Sequence, residues 1–467
     1  MLSLAVIGMG NRARKYLSYL GDHPGAFRVG AIVEPSEVHR EAARKQYGLP
    51  AEACFSSAEA FFAERRSVDA VLITSPDRSH FPQAMKAASY AYHILLEKPS
   101  CESDAEFTAL LDAVGRAGVV ACGCYVLRYH PLYRRLKSLL DEGRIGRLKS
   151  VSHRVAIGRD RMCHSFVRGP WGSSRETSPI FLSKCCHDVD ILLWMTGARL
   201  SNPVSTPFAG AVAGSAAAFG VPAGAAPGSP AAFGAPAGAA PGSPASAGAT
   251  AGSPLVTEGG LTFFRPEKAP QGAAERCLDC PLEGSCPWSA TDLYLRRGLW
   301  TDSFFPLPGE TKEEAVLREV RTGRYGRCVF RSGNDVADWQ RVYFSACDGA
   351  SDLIRFDIEM DGLSPDEGRL TILTGSRGRI LSDGSVITVE TLPDRPTVPI
   401  DTDTKPEFLS ERIDLSAEVS RPFHAGADFL LMEDFLRAVR EPSHTPLTTL
   451  SSTRDSLLVC FAASLSL

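Results

Sequence analysis

The 467 residues predict an α/β chain in two parts: a doubly wound parallel sheet first, then an α+β domain carrying an open, mainly antiparallel sheet. Three observations predict it. Short β-branched runs alternate with helical stretches up to about Tyr125, a Gly-x-Gly turn separates the first run from the first helix, and alternating apolar runs with Asp-Gly turns return between Gln340 and about Glu390. The expected boundaries are 1–126 and 127–467.

In the first part the strands are expected at Leu2 to Ile7, Arg28 to Glu34, Val68 to Thr74, His93 to Glu97 and Val119 to Cys124. Helices fill the gaps, as at Ser79 to Tyr90 and at Ser103 to Arg116, where Phe107, Leu110, Leu111 and Val114 recur at helical spacing. The rhythm changes after Tyr125. A helix from Pro131 to Glu142 stops at Gly143, a strand runs from Leu148 to Ile157, and a helix covers Leu182 to Thr196. Residues 201–254 are almost all Ala, Gly, Pro and Ser, and Ala217 to Pro230 recurs as Ala231 to Pro244. Such a stretch lacks the bulky apolar surface to offset chain entropy, so a disordered surface insertion is expected. The late runs, Arg341 to Ser345, Leu353 to Glu359, Gly368 to Leu373 and Val386 to Glu390, should build the second sheet.

The composition narrows the function. At 44% hydrophobic and 22% charged residues the chain can bury a globular core, and a formal charge of -4 offers no basic surface for nucleic acid or anionic membranes. Met1 leads directly into the first strand and no long apolar span follows, so a cytoplasmic protein is expected. A homo-oligomer is the expected assembly.

Gly8-Met9-Gly10-Asn11-Arg12-Ala13 lies where a strand hands over to a helix. Gly8 can make the tight turn and Gly10 can admit a pyrophosphate to the helix N-terminus, with Ala13 in the third glycine's place. Glu34 ends the second strand about 20 residues on, as a dinucleotide-binding Rossmann unit requires. Its carboxylate should accept bonds from ribose hydroxyls and repel a 2′-phosphate, favouring NAD over NADP. Arg12 is an alternative phosphate contact.

Thirteen cysteines scattered along the chain argue for reduced thiols or metal ligands over a disulfide framework. Cys277-x-x-Cys280, then Cys286 and Cys328, has the spacing of a closed tetrahedral site that would anchor the excursion 260–330. Zinc comes first, iron-sulfur second, and free structural thiols are the alternative.

Gly8-x-Gly10 with Arg12, Thr74-Ser75-Pro76 followed by His80, Glu97-Lys98-Pro99, and His187-x-x-Asp190 together resemble the glucose-fructose oxidoreductase and inositol dehydrogenase (Gfo/Idh/MocA) family. The resemblance implies a Rossmann domain and an open-sheet domain with substrate held between the sheet and the nicotinamide. It places Lys98 beside the reacting hydroxyl and His187 as the base that takes its proton, a pairing that alcohol oxidation needs. The family's usual aspartate, four residues before the histidine, is Ser183 here. Lys184 follows it and shares a helical face with His187, either as a cation or proton-transfer group in the missing carboxylate's stead or as a lysine reaching for solvent.

Candidate substrate contacts are Tyr125, Arg128, His164, Arg168, Trp171 and Asp190. Lys98, Arg128, Arg168 and Lys184 gathered in one cleft would favour an anionic substrate, a carboxylate or phosphate of a sugar or polyol. The readings in play are a dehydrogenase, a redox-neutral glycosidase recycling NAD (His424-Ala425-Gly426-Ala427-Asp428 partly resembles an element of such relatives), and a non-catalytic NAD-binding regulator.

Overall fold

A computed structural model describes residues 1–200, 255–307, 309–350, 352–393 and 408–465; the insertion expected at 201–254 lies outside them. The first sheet has six parallel strands: β1 (Leu2–Ile7), β2 (Phe27–Val33), β3 (Cys54–Phe55), β4 (Ala70–Ile73), β5 (His93–Leu96) and β6 (Ala121–Gly123). They run in the order β3-β2-β1-β4-β5-β6, so the order reverses between β1 and β4 and a crevice opens outside their carboxyl ends. β1 is buried on both faces, as a strand in a helix-covered parallel sheet must be. Helices α1 (Asn11–Leu17), α2 (Glu37–Gln46), α3 (His80–Ser89) and α4 (Asp104–Ala117) supply the covers. Ser36 and Ser103 cap α2 and α4 by accepting the His39 and Glu106 N–H groups, and Gly118 at φ 63° ends α4.

The second sheet is larger. It joins β7 (Leu148–Ile157), β8 (Val256–Gly260), β9 (Trp339–Cys347), β10 (Leu353–Asp361), β11 (Glu367–Gly375), β12 (Gly378–Ser382), β13 (Val386–Thr391) and β14 (Leu409–Asp414) in the order β14-β13-β12-β11-β7-β10-β9-β8. Only the β7–β10 pair is parallel. Along β7 buried residues alternate with half-exposed ones, so one face is turned to the core. That face packs beneath α5 (Pro131–Asp141), α6 (Ile180–Ser183) and α7 (Cys186–Thr196). The helix expected without interruption from Leu182 to Thr196 is two: α6 ends at Ser183 with Lys184 as its C-cap, and α7 starts at Cys186 with Cys185 as its N-cap.

The excursion 260–330 carries its own small core of Cys277, Ala290, Leu293, Tyr294, Phe304, Val316 and Val320. The core includes helix α8 (Lys312–Arg321), fixed by a Thr311/Glu314 capping box. Helix α9 (Ala427–Arg440) then returns to the first domain. Its Leu431, Met432, Phe435 and Leu436 pack with Leu4, Val6, Ile32, Leu72 and Leu95 of the parallel sheet. Helix α10 (Arg454–Leu465) closes the second domain against α7. Among the described residues no helix is long and apolar enough to cross a membrane.

Candidate active site

Gly8 sits at φ 89°, and a Cβ there would stand 2.9 Å from the backbone of Thr74 and Ser75, so only glycine lets the ends of β1 and β4 close. Thr74 Oγ1 seals that junction by donating to the Gly8 carbonyl (2.6 Å). Among the described residues Gly10 has no neighbouring atom within 4 Å of a Cβ position, and no side chain caps α1, which opens with Asn11. A ligand phosphate can therefore approach that backbone. At the end of β2 the Glu34 carboxylate accepts the N–H groups of Met9 and Ser36, both at 2.9 Å. It is held against the glycine turn, where the ribose of a bound dinucleotide would lie. The chemistry and shape of this crevice fit NAD.

Arg12, expected also as a phosphate contact, has its Nε and Nη2 engaged by protein partners, while its buried Nη1 has none among the described residues. Its guanidinium donates to Glu97 (2.7 Å), to Asp428 of α9 (2.7 Å) and to the Tyr16 hydroxyl. Burial works to raise the Glu97 carboxyl, but the Arg12 and Lys98 charges outweigh it and hold it below its ordinary range. Glu97 in turn accepts the Lys98 N–H at 3.0 Å, ahead of a cis Lys98–Pro99 peptide. His80 joins the neighbouring loops, with Nδ1 2.7 Å from the Pro99 carbonyl and Nε2 2.8 Å from the Ser75 carbonyl. Ser75 donates to Gln83, and Pro76 leads into the turn Asp77–Ser79.

Lys98 and His187 meet as expected. Lys98 Nζ donates to the Ser183 carbonyl at the end of α6, and Lys98 is one of the charges acting on His187. Burial first, then Lys98, pushes the His187 imidazole well below its ordinary range, so the ring is neutral at neutral pH. Its Nδ1 is buried with no hydrogen-bond partner among the described residues, and the Tyr125 ring stands edge-on to the imidazole at 5.7 Å. The Tyr125 hydroxyl also has no partner among the described residues. Lys184 lies at the break between the two helices, and burial, reinforced by Arg369 and Arg161, lowers its ammonium to about 8.

Three residues not expected as site residues complete this region, two of which, Asp77 and Arg369, sequence reasoning missed altogether. Asp77 is bonded by Trp171 and faces Lys98; its carboxyl is raised because burial outweighs the nearby charges of Lys98 and His80. Arg369 of β11 binds the buried Asp188, which also lies 3.2 Å from His153. His424 pairs with Asp428 at 2.9 Å and acts electrostatically on His187. Phe423, His424 and Ala425 all hold positive φ, between 50° and 60°, a strained run for residues other than glycine. Only His424 and Asp428 gave a sequence signal, as part of a partial motif.

Other expected contacts turn elsewhere. Arg128 and Asp190 form a buried ion pair (2.5 Å), and all five guanidinium N–H groups of Arg128 go to Asp190, Leu447 and Ser452. Arg128 therefore has no N–H left for a substrate, while the Asp190 carboxylate also accepts the Ser456 hydroxyl at 3.2 Å. Arg168 is buried under the excursion, donating to the carbonyls of Arg327 (2.8 Å) and Trp288 (2.6 Å) and approaching Cys277 Sγ (3.7 Å). His164 is stacked between Trp300 and Tyr325 and bonded to Tyr294, and its burial lowers it to about 4.

The expected metal centre is corrected too: among the described residues no three or more His, Cys, Asp or Glu side chains are placed to hold an ion. Cys277, Cys280, Cys286 and Cys328 are free thiols. The Cys277 sulfur accepts the Ala290 N–H, and those of Cys286 and Cys328 accept the Trp288 and Phe330 N–H groups.

Residues 2–124 match the model of an oxidoreductase family with an NAD-binding Rossmann fold, Gfo/Idh/MocA. An inositol 2-dehydrogenase of Streptomyces avermitilis is 28% identical over 203 residues, 43% of this chain and 55% of that protein. The scyllo-inositol 2-dehydrogenase (NAD(+)) of Bacillus subtilis is 25% identical over 198 residues, 42% and 55% of the two chains. The chain thus spans about half the length of the curated relatives it matches. Two solved structures share the fold over all of this chain. An oxidoreductase of Agrobacterium radiobacter in complex with NAD+, L-tartaric acid and magnesium has TM-score 0.58, 14% identity and 96% of its own length covered. The WlbA dehydrogenase of Bordetella pertussis, in complex with NADH and UDP-GlcNAcA, has TM-score 0.57, 13% identity and 96% covered. The first domain is thus matched by the Gfo/Idh/MocA family model, and the two-sheet architecture is shared with both solved structures.

Proposed function

We propose that the chain is an NAD-dependent oxidoreductase that transfers hydride from a hydroxyl-bearing carbon of a sugar, sugar acid or cyclitol. The observation that carries this is a neutral, half-buried His187 whose buried Nδ1 has no partner among the described residues, beside the Lys98 ammonium in a chain whose glycine turn and Glu34 fit a dinucleotide. NAD, when bound, supplies the hydride acceptor. His187 takes the hydroxyl proton, which a neutral ring can do at neutral pH. Lys98, steered by the Ser183 carbonyl, steadies the alkoxide that forms as the proton leaves. Lys184, lowered to about 8, stands ready to pass the proton outward, in the place of the family's carboxylate.

The inositol dehydrogenases among the relatives support a hydroxylated ring as substrate class. The case for an anionic substrate is narrower than the sequence made it, because Arg128 and Arg168 face protein partners. Lys98 and Lys184 are the two left, and with Lys98 given to the alkoxide, Lys184, flanked by Arg161 and Arg369, is the one to read a substrate carboxylate.

The test is NADH formation with inositols, aldoses and uronates. Turnover is expected with at least one of them, and His187→Asn should lower kcat by about 10²–10⁴-fold without loosening NAD. Undiminished turnover in that variant, or no NADH from any of these substrates while NAD is bound, overturns the proposal.

A further inference from the structure

The excursion does more than pack on its own domain. Phe304 faces its small core, whereas the next residue, Phe305, reaches the first domain. The Phe305 ring lies 3.8 Å from the His39 ring, centroid to centroid, with the Arg14 guanidinium carbon 5.6 Å from its centre. His39 stands one helical turn into α2, its Nδ1 4.0 Å from the Glu34 carboxylate, and Arg14 belongs to the helix that opens at Gly10. Phe305 is thus two contacts from the group expected to hold the adenosine ribose. Its turn is braced from behind: Lys312 Nζ donates to the carbonyls of Thr301 (2.6 Å) and Phe304 (2.8 Å), and Arg318 to that of Phe305 (3.0 Å).

A second grip lies across the crevice. Arg78, after β4, donates to the carbonyls of Ser174 (2.6 Å) and Arg175 (2.7 Å), and Glu176 pairs with Arg324 of the excursion at 3.1 Å. The two grips fall on the loops after β2 and β4, on either side of the strand-order reversal.

We propose that the Phe305 turn is the outer wall of the adenosine pocket, so that bound NAD leaves only when Phe305 parts from His39 and Arg14. This rests on the NAD reading above. An aromatic face beside the ribose-binding carboxylate gives the purine an apolar surface that the glycine turn and Glu34 do not provide. Arg14 and Lys312 keep positive charge, which suits a pyrophosphate-bearing ligand, near that face.

The experiment measures ligands that carry one end of the cofactor each. Phe305→Ala should weaken ADP-ribose about tenfold, equivalent to about 1.4 kcal/mol. It should speed NADH release, followed by stopped-flow fluorescence, by a similar factor. Phe305→Leu, which keeps an apolar side chain, should fall between wild type and Ala, and nicotinamide mononucleotide should bind all three alike. Wild-type ADP-ribose affinity and release rate in Phe305→Ala overturn the proposal, as does an equal loss for nicotinamide mononucleotide, which would mean general loosening. Failure of wild-type protein to bind ADP-ribose overturns the NAD reading together with it.

Discussion

Replacing Asp190 with asparagine separates two roles for a residue of the His187-x-x-Asp190 motif. Asp190 is 2% exposed and Arg128 3%, and the carboxylate receives two guanidinium bonds, at 2.8 and 2.5 Å, plus the Ser456 hydroxyl at 3.2 Å. Asp190→Asn keeps the shape, removes the charge and turns an amide NH₂ toward a donor. A buried guanidinium left without its counter-charge costs about 3–5 kcal/mol. The double variant Arg128→Met/Asp190→Leu removes both charges, leaving the Leu447 and Ser452 acceptors short of a donor, so its cost should be smaller, about 1–3 kcal/mol. Urea denaturation followed by circular dichroism measures both. Should Asp190→Asn unfold within 1 kcal/mol of wild type while KM rises tenfold or more, the structural reading is wrong and Asp190 contacts substrate.

Other outcomes follow from the same geometry. Because burial lowers Lys184 from its ordinary 10.5 to about 8, the folded state binds this proton less readily than the unfolded chain, and the charged lysine costs stability below pH 8. Lys184→Met should therefore be more stable than wild type at pH 7 by thermal melting, the gain shrinking as pH climbs through 8 toward 10.5; a constant difference would remove the explanation. Glu34→Gln should raise NADP affinity by about tenfold in a binding titration, since it removes the charge opposed to a 2′-phosphate, whereas unchanged preference would show that Glu34 is not the discriminator. Phe435→Ala, emptying a fully buried seat between α9 and the parallel sheet, should cost about 3–5 kcal/mol in denaturant unfolding. A loss under 1 kcal/mol would show that α9 is not part of that core.

Where local pattern decides structure, the sequence was legible. β1 and β7 fall on the residues read from alternation, and the glycine turn with Glu34 is where the fingerprint requires. β12 and β14 escaped because Gly378 to Ser382 is short and Leu409 to Asp414 is mostly exposed, so neither carries a clean apolar alternation. The helix break at Lys184 has no glycine or proline to announce it.

Site residues divide along the same line. Lys98 and His187, which the resemblance singles out, lie near the ends of regular elements, and the structure brings the Lys98 charge to bear on the imidazole. Side-chain direction was not readable: Arg128 meets Asp190 across 62 positions, and Arg168 meets Arg327 across 159. Asp77 and Arg369 had only their charge to mark them, and their neighbours come from other elements. The cysteine spacing does bring these thiols near enough to act on one another, yet among the described residues they form no metal-holding group, and Cys277, Cys286 and Cys328 accept backbone N–H groups.

The return of α9 to the parallel sheet has a consequence for synthesis. β6 leaves the ribosome some 300 residues before α9 does, so at about 5–20 residues per second the nascent sheet waits about 15–60 s for Leu431, Met432 and Phe435. Through that interval Leu4, Val6 and Leu72 lack their permanent cover, and the growing chain offers a sticky apolar surface to anything nearby. A chaperone that binds such surfaces has its longest opportunity here, and early termination anywhere before residue 427 should deliver a first domain that aggregates rather than one that folds alone.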